Sequence, residues 1–102
     1  VFSRESDLLY KIRLVEWLKA ELVSHVGELF HAMAQNSEKA IATALAAIIA
    51  SCYVLGRRLG IEFSALDATT QAWLTERNKK DQQVEKWLGD YAELESHFRQ
   101  KR

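Results

Sequence analysis

Proline is absent from this chain, and glycine occurs only four times in 102 residues. The residues that punctuate turns are nearly missing, which argues against a sheet of short strands and against long loops. A single cysteine, Cys52, excludes an internal disulfide; with Ile49, Tyr53 and Leu55 around it, a small buried hydrophobe is predicted. A chain with one thiol and no disulfide fits a cytoplasmic location. Net charge is missing too: 14 Lys and Arg balance 14 Asp and Glu. No overall positive field draws the protein to nucleic acid or to an anionic membrane, and neither is expected as a partner. The opening residues, VFSRESD, are too polar for a signal peptide. No Gly-rich phosphate loop is present, and Cys52 has no histidine near it in sequence to activate it as a nucleophile. Finally, no carboxylate occurs between Glu38 and Glu62.

What remains is 48% hydrophobic residues arranged with helical periodicity. One domain over residues 1–102 is expected, small enough to bury roughly 60–70% of its unfolded surface. The pattern predicts an all-α fold, a bundle of four to five helices. The first helix covers 6–34, with a stripe of Leu8, Ile12, Val15, Leu18 or Lys19, Leu22, Val26, Leu29 and Met33; a break near Arg13–Glu16 is allowed. Gln35-Asn36-Ser37 suits a turn, with Asn36 or Ser37 capping the next helix and Glu38 in its first turn. That helix runs from 38 to 59 and ends on Arg57, Arg58 and a left-handed Gly60. Ser64-Ala-Leu-Asp67 resembles a capping box and opens a helix over 65–77 with Leu66, Trp73 and Leu74. Residues 76–83, ERNKKDQQ, suit a loop or a solvated helical segment. A last helix over 82–99 carries Val84, Trp87, Leu88, Tyr91, Leu94 and Phe98. Trp17, Trp73 and Trp87 all fall near apolar stripes and predict core or interface packing.

The 38–59 helix is the most apolar element. Its uncharged run, Ala40 to Gly56, has 17 residues, six of them alanine. A bilayer-spanning helix needs about 20 residues of stronger hydrophobicity, so a buried core or interface helix is expected and no membrane. Two stripes share it: Ile41, Leu45, Ile48, Cys52, Leu55 and Leu59, and beside them Ala40, Ala44, Ala47 and Ser51. Two apolar stripes exceed what one small domain needs to cover, so a homo-oligomer through this helix, a dimer or tetramer, is expected.

Glu21, His25 and Glu28 recur at i, i+4 and i+7 on one helical face, and His31 can also reach Glu28. Glu-x-x-His pairs facing a bundle interior are metal-ligand arrangements. The facing helix offers only Thr43 and Ser51, weak ligands for a cation that wants hard carboxylate oxygens. No metal is therefore expected, with Glu28 and His31 its weak candidates. Arg57-Arg58 and Lys79-Lys80 are the basic clusters, each expected as a solvated helix end.

Over residues 18–67 the pattern resembles the MazG-like branch of the all-α nucleotide pyrophosphohydrolase superfamily. Members read EExxEL on one helix and ExxD about twenty residues later, followed by an apolar run and LGI. Here SHVGEL (24–29) and ALAA (44–47) stand at those places, followed by IIASCYVLGRRLGI (48–61) and SALD (64–67). The resemblance implies acids on both helices that hold Mg²⁺, which engages the nucleoside triphosphate and its attacking water. Carried over residue by residue, only Glu28 matches. Ser24, His25, Ala44 and Ala47 occupy the other acidic positions, and Glu21 lies one turn upstream, outside the motif.

The chain is thus expected to be a catalytically degenerate MazG-like protein, self-associating and acting by binding or regulation, with a nucleotide as a possible ligand and no cofactor. Two alternatives stand. One is a Mg²⁺-dependent nucleoside triphosphate pyrophosphohydrolase with a rebuilt site of Glu21, His25, Glu28 and, from a neighbouring subunit, Glu62 or Asp67. The other is a helical interaction module unrelated to nucleotides.

Overall fold

The computed structural model describes residues 2–80 and 85–100, and the side chains of 6–79 and 89–100. It contains four helices, α1 (Phe2–Ala34), α2 (Glu38–Arg58), α3 (Phe63–Lys80) and α4 (Glu85–Gln100), and no strand among the described residues. The fold is all-α, as the absence of turn residues requires. α1 is continuous through Arg13–Glu16, where a break was allowed. α3 starts at Phe63, so Ser64 lies inside its first turn rather than capping it, and the helix carries on through Glu76–Lys80. Residues 81–84, Val84 among them, lie outside the described residues, as do the side chains of Trp87 and Leu88.

Both helix ends in the first half close with the same backbone device. Asn36 takes a left-handed φ of 56°; its N–H donates to Met33 O, and Ser37 N–H reaches back to Ala32 O. Gly60, at φ 93°, repeats this: Gly60 N–H donates to Arg57 O and Ile61 N–H to Gly56 O. These are Schellman ends, which satisfy carbonyls that would otherwise lack a partner. Ser37 then caps α2, its Oγ accepting from Ala40 N–H at 3.3 Å. The turn is only three residues long, so α2 folds straight back along α1, and these two helices pack on each other.

The chain divides into two compact units, Val1–Phe63 and Ser64–Arg102. In the first, the α1–α2 seam follows one row on each helix: Leu18, Leu22, His25, Leu29 and Ala32 against Ile41, Ala44, Ile48, Ser51 and Leu55, all buried or half-buried. Steps of three and four keep each row on its partner. Ala40, Ala44, Ala47 and Ser51 all lie at or beside this seam, where small side chains permit close approach.

Each helix advances about 100° per residue. Because α2 is antiparallel to α1, a shift of one residue turns the two helices in opposite senses, and so towards the same side of the pair. One residue after the seam lie Val23, Val26, Phe30 and Met33 on α1 and Leu45, Ile49 and Cys52 on α2, all exposed. One residue before it lie Glu21, Ser24, Glu28 and His31, with Ala40, Thr43, Ala47, Ala50 and Val54. The hairpin therefore has an apolar side and a mixed side.

Several expectations are corrected here. The single stripe read along α1 divides: Leu18, Leu22 and Leu29 meet α2, whereas Leu8, Ile12, Val26 and Met33 are exposed. On α2, Leu45, Cys52 and Leu59 are exposed, so Cys52 is not the buried hydrophobe its neighbours suggested. Trp17 and Trp73 are about half exposed rather than core. A 3.6-residue period marks an apolar face without saying how wide a sector the next helix covers. By length and composition alone α2 is also long and apolar enough to cross a membrane.

In the second unit Leu74 is the most buried side chain, 1% exposed. Trp73 and Tyr91 meet edge to face at 5.7 Å, and the Arg77 guanidinium lies over both rings. Glu95 ties α4 to α3. Its carboxylate accepts from Thr75 Oγ1 and Asn78 Nδ2, each at 2.7 Å, and from Arg99 at 2.8 Å. The Thr75 hydrogen bond, then that of Asn78, with Arg99 adding charge, holds the Glu95 carboxyl below the usual carboxylate range.

Candidate functional site

The mixed side of the hairpin carries an open groove of about 790 Å³ at the turn end. α1 contributes His25, Glu28, His31 and Ala32; α2 contributes Ala40, Thr43, Ala44 and Ala47. The three-residue turn sets this pairing, because residues equally far from it face each other. Three of the four positions named besides Glu28 in the sequence motif, His25, Ala44 and Ala47, thus meet Glu28 in one groove. Ser24 is exposed and does not line it.

The polar chemistry is on α1. His25 Nδ1 and Glu28 Oε1 are 2.8 Å apart, and His25 Nε2 lies 3.7 Å from Glu21 Oε1. The histidine is held between two carboxylates one turn either side of it. Its side chain is 21% exposed against 66% for Glu28, so the imidazole lies against the seam and the Glu28 carboxylate faces water. Glu28 is bonded to His25 and not to His31, which is exposed at the groove wall. Glu21 lines a smaller depression of about 250 Å³, with Trp17, Leu18, Ala50, Ser51 and Val54.

The wall from α2 has little to offer a cation. Ala44 is 6% exposed and Ala47 half-buried, and neither has a donor atom in its side chain. Thr43 spends its hydroxyl hydrogen on Lys39 O at 3.0 Å. Among the described residues, no three His, Cys, Asp or Glu side chains gather as a metal would require. Mg²⁺ demands near-octahedral oxygen ligation, usually anchored by carboxylates. The residues present do not fit the ion that the family motif would hold. Glu62 is exposed just after the α2 cap, and Asp67 is half-buried in α3.

The architecture is that of an all-α protein built on an antiparallel helix pair, with a groove between the two helices. The MazG-like family profile matches residues 8–91, most of the chain, and the protein belongs to the MazG-like family. No curated protein and no solved structure matches the chain.

Of the residues singled out from the sequence, His25, Glu28, His31, Ala44 and Ala47 line this groove, and Glu21 and Ser24 do not. Sequence reasoning missed the contribution of Gln35, Ser37 and Lys39 at the turn end of the groove. Those residues follow from the three-residue turn, which the pattern did show, but only the fold turns a turn into a groove wall.

Proposed function

We propose that this MazG-like protein is catalytically degenerate and acts as a self-associating binding or regulatory protein. The observation that carries the proposal is the groove wall at Ala44 and Ala47, which leaves Glu28 alone among the motif acids. A divalent ion stabilises developing charge at a phosphoryl centre by several kcal/mol. Each ~1.4 kcal/mol of that is tenfold in rate, so losing the ion's ligands removes orders of magnitude. The groove itself survives, with a volume in the usual range for small-molecule sites, and a nucleotide remains a possible ligand.

Self-association is supported by the exposed apolar side of the hairpin, on which Val23, Phe30, Leu45 and Ile49 are between 44% and 72% exposed. Contiguous apolar surface of that kind marks interaction sites. We place α2 in an interface between subunits rather than in a bilayer, and the protein in the cytoplasm. A second reading, hydrolysis through a rebuilt site, is favoured by the Glu21–His25–Glu28 contacts, which hold an imidazole between two carboxylates.

Assay of purified protein with nucleoside triphosphates and Mg²⁺ or Mn²⁺ separates the two. The proposal expects no pyrophosphate above background. Turnover that Glu28→Gln abolishes would overturn it and establish the rebuilt site. Sedimentation at micromolar concentration should give a dimer or larger, and a monomer would refute self-association.

A further inference from the structure

At the end of the hairpin away from the turn lies a second cavity, of about 520 Å³, lined by Lys11, Val15, Val54, Arg57, Arg58 and Phe63. Three of those six residues are cations and none is an acid. Elsewhere among the described residues Lys19 pairs with Glu16, Lys79 with Glu76 and Arg99 with Glu95, while Arg13 and Lys39 form no ion pair. No carboxylate among the described residues pairs with Lys11, Arg57 or Arg58.

Arginines in the last turn of a helix often serve its free carbonyls and its dipole. Here three of the terminal carbonyls, those of Leu55, Gly56 and Arg57, are already taken by backbone donors. Leu59 N–H donates to Leu55 O and Gly56 O, Ile61 N–H to Gly56 O, and Gly60 N–H to Arg57 O. The left-handed turn at Gly60 thus closes this end through backbone donors, without a guanidinium on those three carbonyls. Lys11 comes from the other helix, which an end-of-helix role for α2 does not explain. Arg57 is also held in place: its guanidinium lies 5.1 Å from the centre of the Phe63 ring, which itself meets Tyr53 edge to face at 5.8 Å. A cation fixed over a ring loses less freedom when it binds an anion than one on a free stem.

We propose that this cavity binds a phosphate monoester with an apolar or aromatic substituent. The dianionic phosphate meets Lys11 and the two guanidinium groups, whose planar forks match phosphate oxygens in pairs. The substituent lies on Val15, Val54 and Phe63. The cavity is separate from the His25–Glu28 groove, and this site does not depend on the function proposed for that groove.

The probe is phenyl phosphate, titrated calorimetrically into the full chain beside inorganic phosphate and phenol. Phenyl phosphate should bind more tightly than either fragment, and binding should weaken as salt is raised. Lys11→Gln and Arg58→Gln change exposed side chains, and circular dichroism will confirm that each variant folds. Each should weaken phenyl phosphate at least tenfold, or ~1.4 kcal/mol. Phe63→Leu should erase most of the preference over inorganic phosphate. Co-sedimentation with phosphatidic acid vesicles tells the source of the ester: binding that the two Gln variants remove assigns a lipid headgroup, and soluble binding alone assigns a small molecule. No binding of phenyl phosphate at millimolar concentration, or binding equal in the wild type and both Gln variants, would overturn the proposal.

Discussion

A glutamate introduced at Ala44 should cost far more than the same residue at Ala47, although the two positions are only three apart in the chain. Ala44 is 6% exposed and sits in the row that meets α1; Ala47 is half-buried beside that row, on the groove side. A charge stranded in a packed seam costs ~3–5 kcal/mol. Against a total stability of ~5–15 kcal/mol, that is a large fraction. At ~4–8 °C per kcal/mol for a domain near this size, Ala44→Glu should lower Tm by roughly 12–40 °C. Ala47→Glu loses a few tenths of a kcal/mol of helix propensity and leaves its carboxylate in a wet groove, so about 1 kcal/mol or less is expected. Thermal melts followed by circular dichroism read both. Both positions line the groove with Glu28, so repulsion from that carboxylate is common to the two variants and burial sets them apart. Acids placed together at Ser24, His25, Ala44 and Ala47 should turn that repulsion into divalent-metal affinity. Mg²⁺ at a hundred times its Kd would then return about 2.7 kcal/mol of stability, visible as a higher melting temperature. Equal losses at 44 and 47, or a greater loss at 47, would refute the pairing of α1 and α2 on which the groove rests. A folded quadruple variant indifferent to Mg²⁺ would show that the groove cannot rebuild a metal site.

Two further outcomes follow from single residues. Glu95 is held as a carboxylate by Thr75, Asn78 and Arg99, so its folded pKa lies below the unfolded glutamate value of about 4.3. Its contribution is full above that value and disappears as pH falls through the folded pKa; Glu95→Gln should therefore lower Tm at neutral pH, with the gap to wild type closing in acid, and a gap independent of pH would remove the ionic explanation. Cys52 is exposed on the apolar side of the hairpin. A thiol reagent should label it readily in dilute protein and progressively more slowly as concentration rises into the associating range, whereas a rate constant unaffected by concentration would place Cys52 outside any subunit interface.

Much of the fold could be read from the chain. Missing proline and scarce glycine left helices as the only regular structure, and Gln35-Asn36-Ser37 and Gly60 marked the helix ends to within a residue. Those signals are local: a cap, a left-handed residue and a turn act over one or two helical turns, so their chemistry stands in adjacent letters. His25, Glu28, Ala44 and Ala47, grouped in the sequence by a resemblance, line one groove. The identity of the free face was not legible. Leu29 and Met33 look alike in a helical repeat, yet Leu29 is half-buried against α2 and Met33 is 54% exposed. Exposure is decided by the 100° sector that the partner helix covers, and that depends on the register of the turn. For the same reason, Lys11 and Arg58 are separated by 46 intervening residues and are brought to one cavity only because α2 runs back along α1. Sequence by itself determined the helical class and the two ends at Asn36 and Gly60, which are properties of neighbouring residues. Tertiary structure decided which residues face one another and which apolar side is left uncovered, since both depend on how two helices pack.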